Sequence, residues 1–146
     1  MRTIRLQVLS SAMLLGMMAT APARAEVRIL SSPGGEVGRF LALFEELRAS
    51  GERIVIDGPC YSACTLVLSA VPAHRICVTR RAVLGFHAAR SIDGRGRIYR
   101  EPEATRLVLE AYPAPVRHWI RRHGGLSGRL LKLRGRALAR IYRTCR

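Results

Sequence analysis

The chain is poor in aromatic residues, in acids and in long apolar runs. Aromatics make up 5% of its 146 residues, with Trp119 the single tryptophan, and 10 acidic residues stand against 25 Lys plus Arg. Outside the extreme N-terminus no apolar span approaches the 20 residues or so that a bilayer requires, which argues against an integral membrane protein. The basic charge, almost all of it arginine, is densest after Arg117, yet only Trp119 and Tyr142 supply aromatics there and neither sits in a nucleic-acid signature. Nucleic acid is therefore not the expected partner, and the excess of +15 reads as a solvated cationic surface. A 49% hydrophobic fraction excludes wholesale disorder, and the length allows one domain with a small core.

Residues 1–25 combine Arg2 and Arg5, an apolar run from Val8 to Met18, and Ala23-Arg24-Ala25 ahead of Glu26. This is the pattern of a secretory signal peptide cleaved after Ala25, followed by a single domain over residues 26–146. The expected location is outside the cytoplasm, periplasmic or secreted. Cys60, Cys64, Cys77 and Cys145 all lie in that domain, an even count that suits two disulfides in an exported chain short of core. The expected pairing is Cys64 with Cys77 and Cys60 with Cys145, because a Cys60–Cys64 loop would constrain little. A zinc site built from Cys60, Cys64, Cys77 and His74 or His87 is the rival, but its spacing matches no standard knuckle, so neither metal nor cofactor is expected.

Along the chain, Val27 to Leu30 reads as a strand ending at Ser31-Ser32-Pro33-Gly34-Gly35. Val37, Phe40, Leu41, Phe44 and Leu47 recur at helical spacing over Glu36 to Arg48, with Gly51 as terminator. Ile54 to Ile56 is an apolar strand closed by Asp57-Gly58-Pro59, and Ser62 to Val71 predicts a buried helix stopping before Pro72. Arg75 to Thr79 and Ala82 to Phe86 predict two further strands, and Asp93-Gly94-Arg95-Gly96 a polar turn. Glu103 to Tyr112 and Pro115 to His123 predict two helices, Ser127 a cap of a short helix, and Arg136 to Tyr142 a last one. Strands alternating with helices imply an α/β domain with a mainly parallel sheet.

Function in such sheets lies beyond the carboxyl ends of strands. The Pro33-Gly34-Gly35 turn, the Gly58 to Ser62 turn and His87 all fall there. Ser62, at a helix start after a strand and turn, is the candidate nucleophile and His87 the candidate general base. Amides of the Gly34-Gly35 turn and of Ala63 are the candidate oxyanion donors. No internal repeat or low-complexity tract competes with this constellation.

Ser32-Pro33-Gly34-Gly35, then helix and strand, then Gly58-x-x-x-Ser62, then His87, resembles the Clp protease proteolytic subunit (ClpP) family of the Clp/crotonase superfamily over about Val27 to Ala88. The Gly58-Pro59-Cys60-x-Ser62-Ala63-Cys64 core is also similar to that of a set of small exported bacterial proteins. The resemblance implies an α/β spiral fold with a shortened helical C-terminal part, a serine-peptidase ancestry and the roles just given. The family's triad aspartate follows its helical hairpin, whereas Leu133 to Leu138 holds no acid, and the domain has no Asn or Gln to stand in. Asp93 is the carboxylate nearest to His87 in the following sequence and the candidate orienting acid. A lysine dyad of the related signal-peptide peptidases has no candidate before Lys132.

Two functions follow as expectations: an exported serine hydrolase acting on peptides or proteins through Ser62 and His87, and a non-catalytic, disulfide-stapled envelope binding module. Family rings work with an unfolding ATPase; no such partner is expected outside the cytoplasm. Homo-oligomerisation stays open, since the C-terminal half departs from the helices that build those rings.

Overall fold

The computed structural model describes residues 25–146; the segment expected to be a signal peptide, Ala25 aside, lies outside the described residues. The architecture is mixed α/β, with three small sheets among the described residues. Strands β1 (Glu26–Ile29), β2 (Arg53–Ile56) and β4 (Ile76–Val78) form a parallel sheet in the order β1-β2-β4. A second sheet sets β3 (Pro59–Tyr61) parallel to β5 (Val83–Phe86), and β8 (Leu131–Arg134) antiparallel to β5. The third is a hairpin of β6 (Arg90–Ile92) and β7 (Ile98–Arg100), with Asp93 to Gly96 in its turn as expected.

Helix α1 (Val37–Ser50) joins β1 to β2. Glu36 caps it, its carboxylate accepting from the Gly38 amide, and Gly51 ends it at φ 77°. Phe40, Phe44 and Leu47 turn inward, Phe44 being fully buried. The last carbonyls of α1 would otherwise lack donors. Arg75, reaching in from the approach to β4, supplies two of them: its guanidinium donates to the carbonyls of Leu47 and Arg48, and also to that of Glu52 just beyond the helix, at 2.6–2.9 Å.

The helix predicted from Ser62 to Val71 is a 3-10 turn, Ser62–Leu66, followed by a one-turn α2 (Val67–Ala70). The expected strands near Arg75 and Ala82 are β4 and β5. Helices α3 (Pro102–Ala111) and α4 (Ala114–Arg122) match the expected pair; Val116 and Ile120 of α4 are fully buried, while α3 buries no residue completely. Ser127 caps no helix. Its hydroxyl accepts from the Arg129 amide in a turn leading to β8, a strand absent from the sequence expectation. After it comes α5 (Gly135–Ala139), shorter than the predicted terminal helix.

All four cysteines are in disulfides, but the pairing differs from the expected one: Cys60 bonds Cys64, and Cys77 bonds Cys145. The tight passage from β3 into the 3-10 turn brings Cys60 and Cys64 to a Cα separation of 5.3 Å. The C-terminal segment runs beside β4, through a Val78–Thr144 bridge and bonds from the Val78 amide to the Arg143 carbonyl and from the Cys145 amide to the Val78 carbonyl. That pairing sets Cys145 within 5.1 Å of Cys77. With every sulfur committed, no thiolate is left for the rival zinc set.

Candidate functional site

The two larger sheets meet where their strands end. Beyond β1, Ser32 pairs in parallel with Cys60 of β3: the Ser32 amide donates to the Pro59 carbonyl at 2.7 Å, and the Tyr61 amide to the Ser32 carbonyl at 2.9 Å. Gly58 permits this, because a Cβ there would overlap the Leu30 carbonyl oxygen. In turn β3 lies beside β5 with Tyr61 opposite Gly85, so Ser62 and His87 emerge at the same carboxyl end of neighbouring parallel strands. The sequence expectation that the three loops converge is met by this register.

Ser62 has φ 54° and is the one non-glycine residue in the left-handed region among the described residues. An L-residue is strained there, and such strain persists only where the surroundings over-determine it. Those surroundings are evident. The Cys60–Cys64 disulfide brackets Ser62, and Gly34, at φ 87°, packs so closely that a Cβ on it would come 2.6 Å from both Ser62 Cβ and the Tyr61 carbonyl oxygen. Behind the turn, the buried Thr65 hydroxyl donates to the Ser62 carbonyl at 2.7 Å. Its single hydrogen being used, it accepts the Tyr112 hydroxyl proton at 2.6 Å. Burial of Tyr112 pushes its phenol up to about 12, so it remains a donor. Tyr112 also meets Phe86 edge-on, which ties the end of α3 to the residue preceding His87.

The Ser62 side chain caps nothing and has no protein hydrogen bond among the described residues. It opens with His87 on a cleft of about 730 Å³ whose other walls include Gly34, Gly35, Val37 and Arg90, and the pair share two smaller recesses. His87 is half-buried, with Nδ1 at 2.7 Å from the Ala88 carbonyl oxygen. A carbonyl only accepts, so Nδ1 carries the proton, and of the two ring nitrogens it is Nε2 that is left to act as an acceptor. Gly35 lies on the exposed lip of the cleft, and its amide has no protein acceptor among the described residues. Ala63 is buried and lines the small recess of about 40 Å³ shared with Ser62 and His87; it is second in the 3-10 turn, where an amide has no partner within the turn. None of the family models, curated proteins or solved structures compared matches this chain.

Asp93, the candidate orienting acid, stays in the hairpin turn. Its carboxylate accepts from the Arg95 and Arg97 amides, the Arg97 guanidinium and the Tyr99 hydroxyl, which together hold its carboxyl below the usual range. No carboxylate is hydrogen-bonded to His87 among the described residues; the Ala88 carbonyl holds the ring instead. Lys132 lies on β8 opposite Gly85, with Nζ 5.8 Å from the centroid of the Tyr61 ring, a cation over the residue that precedes Ser62. Sequence reasoning missed Thr65 and Tyr112. Their contact joins residues 47 positions apart and has no local signature.

Asp57 forms a separate polar knot at the end of β2. It is buried and accepts from Arg28, Thr79 and Arg81. The Arg81 and Thr79 bonds hold its carboxyl well below the usual carboxylate range, against the opposing effect of burial. These bonds fasten β2, the turn after β4 and β1 together, and they secure the strand from which the Gly58 turn departs.

Proposed function

We propose that this chain is a serine hydrolase of Clp-protease type, exported to an oxidising compartment, that cleaves peptide or protein substrates by acyl transfer. The observation carrying the proposal is the strained Ser62, its hydroxyl uncommitted among the described residues, opening on the same cleft as His87, whose ring is turned with Nδ1 on the Ala88 carbonyl and so leaves Nε2 for the serine proton. Ser62 is the first residue of the 3-10 turn, whose cap is Tyr61, and its hydroxyl bonds no backbone amide among the described residues, so it does not serve as a helix cap. Ser62 Oγ attacks the scissile carbonyl carbon as its proton passes to His87 Nε2. The Gly35 and Ala63 amides receive the oxyanion. Collapse expels the amine, protonated by His87, and leaves an acyl-Ser62 ester that water hydrolyses with His87 again as base.

The Ala88 carbonyl sets the tautomer of His87, as a triad acid does, but carries no full charge to stabilise the imidazolium. Replacing the orienting acid costs about 10⁴ in rate in a serine protease, much of it through the tautomer that the Ala88 carbonyl here preserves, so turnover slowed by less than that factor is expected. Two disulfides, and the lack of any helix long and apolar enough to span a bilayer among the described residues, are compatible with export. The missing carboxylate is also what favours a second reading, a stapled module that binds peptides in the same cleft without cutting them.

The test is fluorophosphonate labelling of the oxidised mature protein, read by intact mass beside Ser62→Ala and His87→Ala. A single adduct on the wild type that is lost in both variants is expected. Absence of labelling on folded wild type refutes the hydrolase and leaves the module.

A further inference from the structure

The β6–β7 hairpin sets two like charges face to face. Arg90 and Arg100 are direct cross-strand partners, an arrangement that costs stability when nothing separates the charges. Neither has a carboxylate within 4.0 Å or a side-chain hydrogen bond among the described residues. The contrast with their surroundings is informative: Arg97 of the same hairpin pairs with Asp93, and Arg106 of α3 with Glu103 and Glu110.

Side chains two apart share a face of a strand, so the Arg90–Arg100 pair and the Ile92–Ile98 pair lie on one side of the hairpin. The Ser91–Tyr99 pair belongs to the other face, where Ser91 donates to Glu101 and Tyr99 to Asp93. Arg90 and Ile92 border the Ser62–His87 cleft, and Arg90, Ile98 and Arg100 border the adjoining recess of about 470 Å³ that also reaches His87. Two carboxylates border the same spaces, and both are engaged. Glu36 caps α1 and lies 3.6 Å from Arg39; Glu101 accepts from Ser91. Ile92 and Ile98 are about 60% exposed, unusual for isoleucine, and they place an apolar strip beside the cationic pair.

We propose that Arg90 and Arg100 form an anion subsite of this cleft, and that its ligands are peptides carrying an acidic side chain close to the bond presented to Ser62, with an apolar neighbour on the isoleucines. A carboxylate bridging the two guanidiniums would make charge-assisted bonds to both and cancel their repulsion. The cleavage part of this statement rests on Ser62 as nucleophile; the binding part does not.

Binding is therefore measured on the Ser62→Ala protein, by fluorescence anisotropy at about 0.15 M salt, where long-range attraction to the cationic surface is screened. The probes are two labelled peptides of alanine and leucine that differ in one central Glu or Gln. The Glu peptide should bind at least about tenfold more tightly. Adding Arg90→Gln or Arg100→Gln should bring it to the affinity of the Gln peptide, and each change should keep or raise Tm because a like-charge pair is removed. Arg90→Lys should retain part of the preference. The control, Arg121→Gln with Arg122→Gln on α4, should leave the preference intact. Equal affinities, or a preference lost equally in the control, overturn the subsite. Labelling of wild-type Ser62 without a Glu preference likewise overturns it while sparing the nucleophile; a Glu preference without labelling refutes the nucleophile and upholds the subsite.

Discussion

The two disulfides should separate stability from reactivity. Cys77–Cys145 spans 68 positions and Cys60–Cys64 spans 4, so the first closes a far larger loop in the unfolded chain. Loop-closure entropy assigns about 4.4 kcal/mol to the long bridge and about 2 kcal/mol to the short one. A packing effect works the other way. Cys60 and Cys64 are both fully buried, whereas Cys77 is buried and Cys145 half-buried, so alanine at the short pair empties more volume, a difference of about 1 kcal/mol. The net expectation is that Cys77→Ala/Cys145→Ala is the less stable double variant by about 1 to 2 kcal/mol, or roughly 4 to 8 °C in Tm for a domain of this size. Urea and thermal unfolding, followed by circular dichroism on oxidised proteins, measure it. Fluorophosphonate labelling well below both melting points should rank them oppositely, because Cys60–Cys64 holds the Ser62 turn and Cys77–Cys145 holds the C-terminal segment. A short-pair variant that melts first, or that labels at the wild-type rate, would refute the reasoning.

Gly34→Ala should cost about 2 kcal/mol or more and suppress labelling, since a Cβ at φ 87° meets Ser62 Cβ and the Tyr61 carbonyl; chemical denaturation with parallel labelling checks both. Thr65→Val should destabilise by about 1 to 3 kcal/mol by stranding the Tyr112 hydroxyl, and Thr65→Val/Tyr112→Phe should recover part of that loss; a double variant no better than the single one would contradict the bond network. Asp57 is held below its ordinary titration range when folded, so its contribution to stability is complete above the unfolded carboxylate value and is lost as pH falls through and below it. Urea midpoints measured from neutral to acid pH should thus fall less steeply for Asp57→Asn, which should also be less stable than wild type at neutral pH.

Much of the candidate site was legible because its parts are local. Pro33-Gly34-Gly35, Gly58 and His87 each mark the end of a short apolar run, and strand ends in an α/β sheet lie on one side. Phe40, Phe44 and Leu47 declared α1 by their spacing, with Glu36 and Gly51 at its ends. Strand β8 carries a readable signal in Leu131-Lys132-Leu133-Arg134, which alternates apolar and charged residues, and Leu133 is fully buried. Strand β3 carried almost none. It is three residues long, begins with proline, and is a strand because Tyr61 pairs with Gly85 and Cys60 with Ser32.

From its sequence alone the chain determined the helices α1, α3 and α4, the turns at Pro33-Gly34-Gly35 and Asp93 to Gly96, that four cysteines would be used in pairs, and that Ser62 follows the turn after β2 while His87 follows β5. Each depends on the residues immediately around it, through backbone freedom, periodicity or composition. Tertiary structure alone decided which cysteine meets which, that Thr65 and Tyr112 brace the Ser62 turn, that Asp93 is spent on its own hairpin, and that Arg90 and Arg100 face one another beside the cleft. Those outcomes depend on register and on which segments become neighbours. Contacts across tens of residues are chosen by the packing of the whole core, and no window of sequence contains that information.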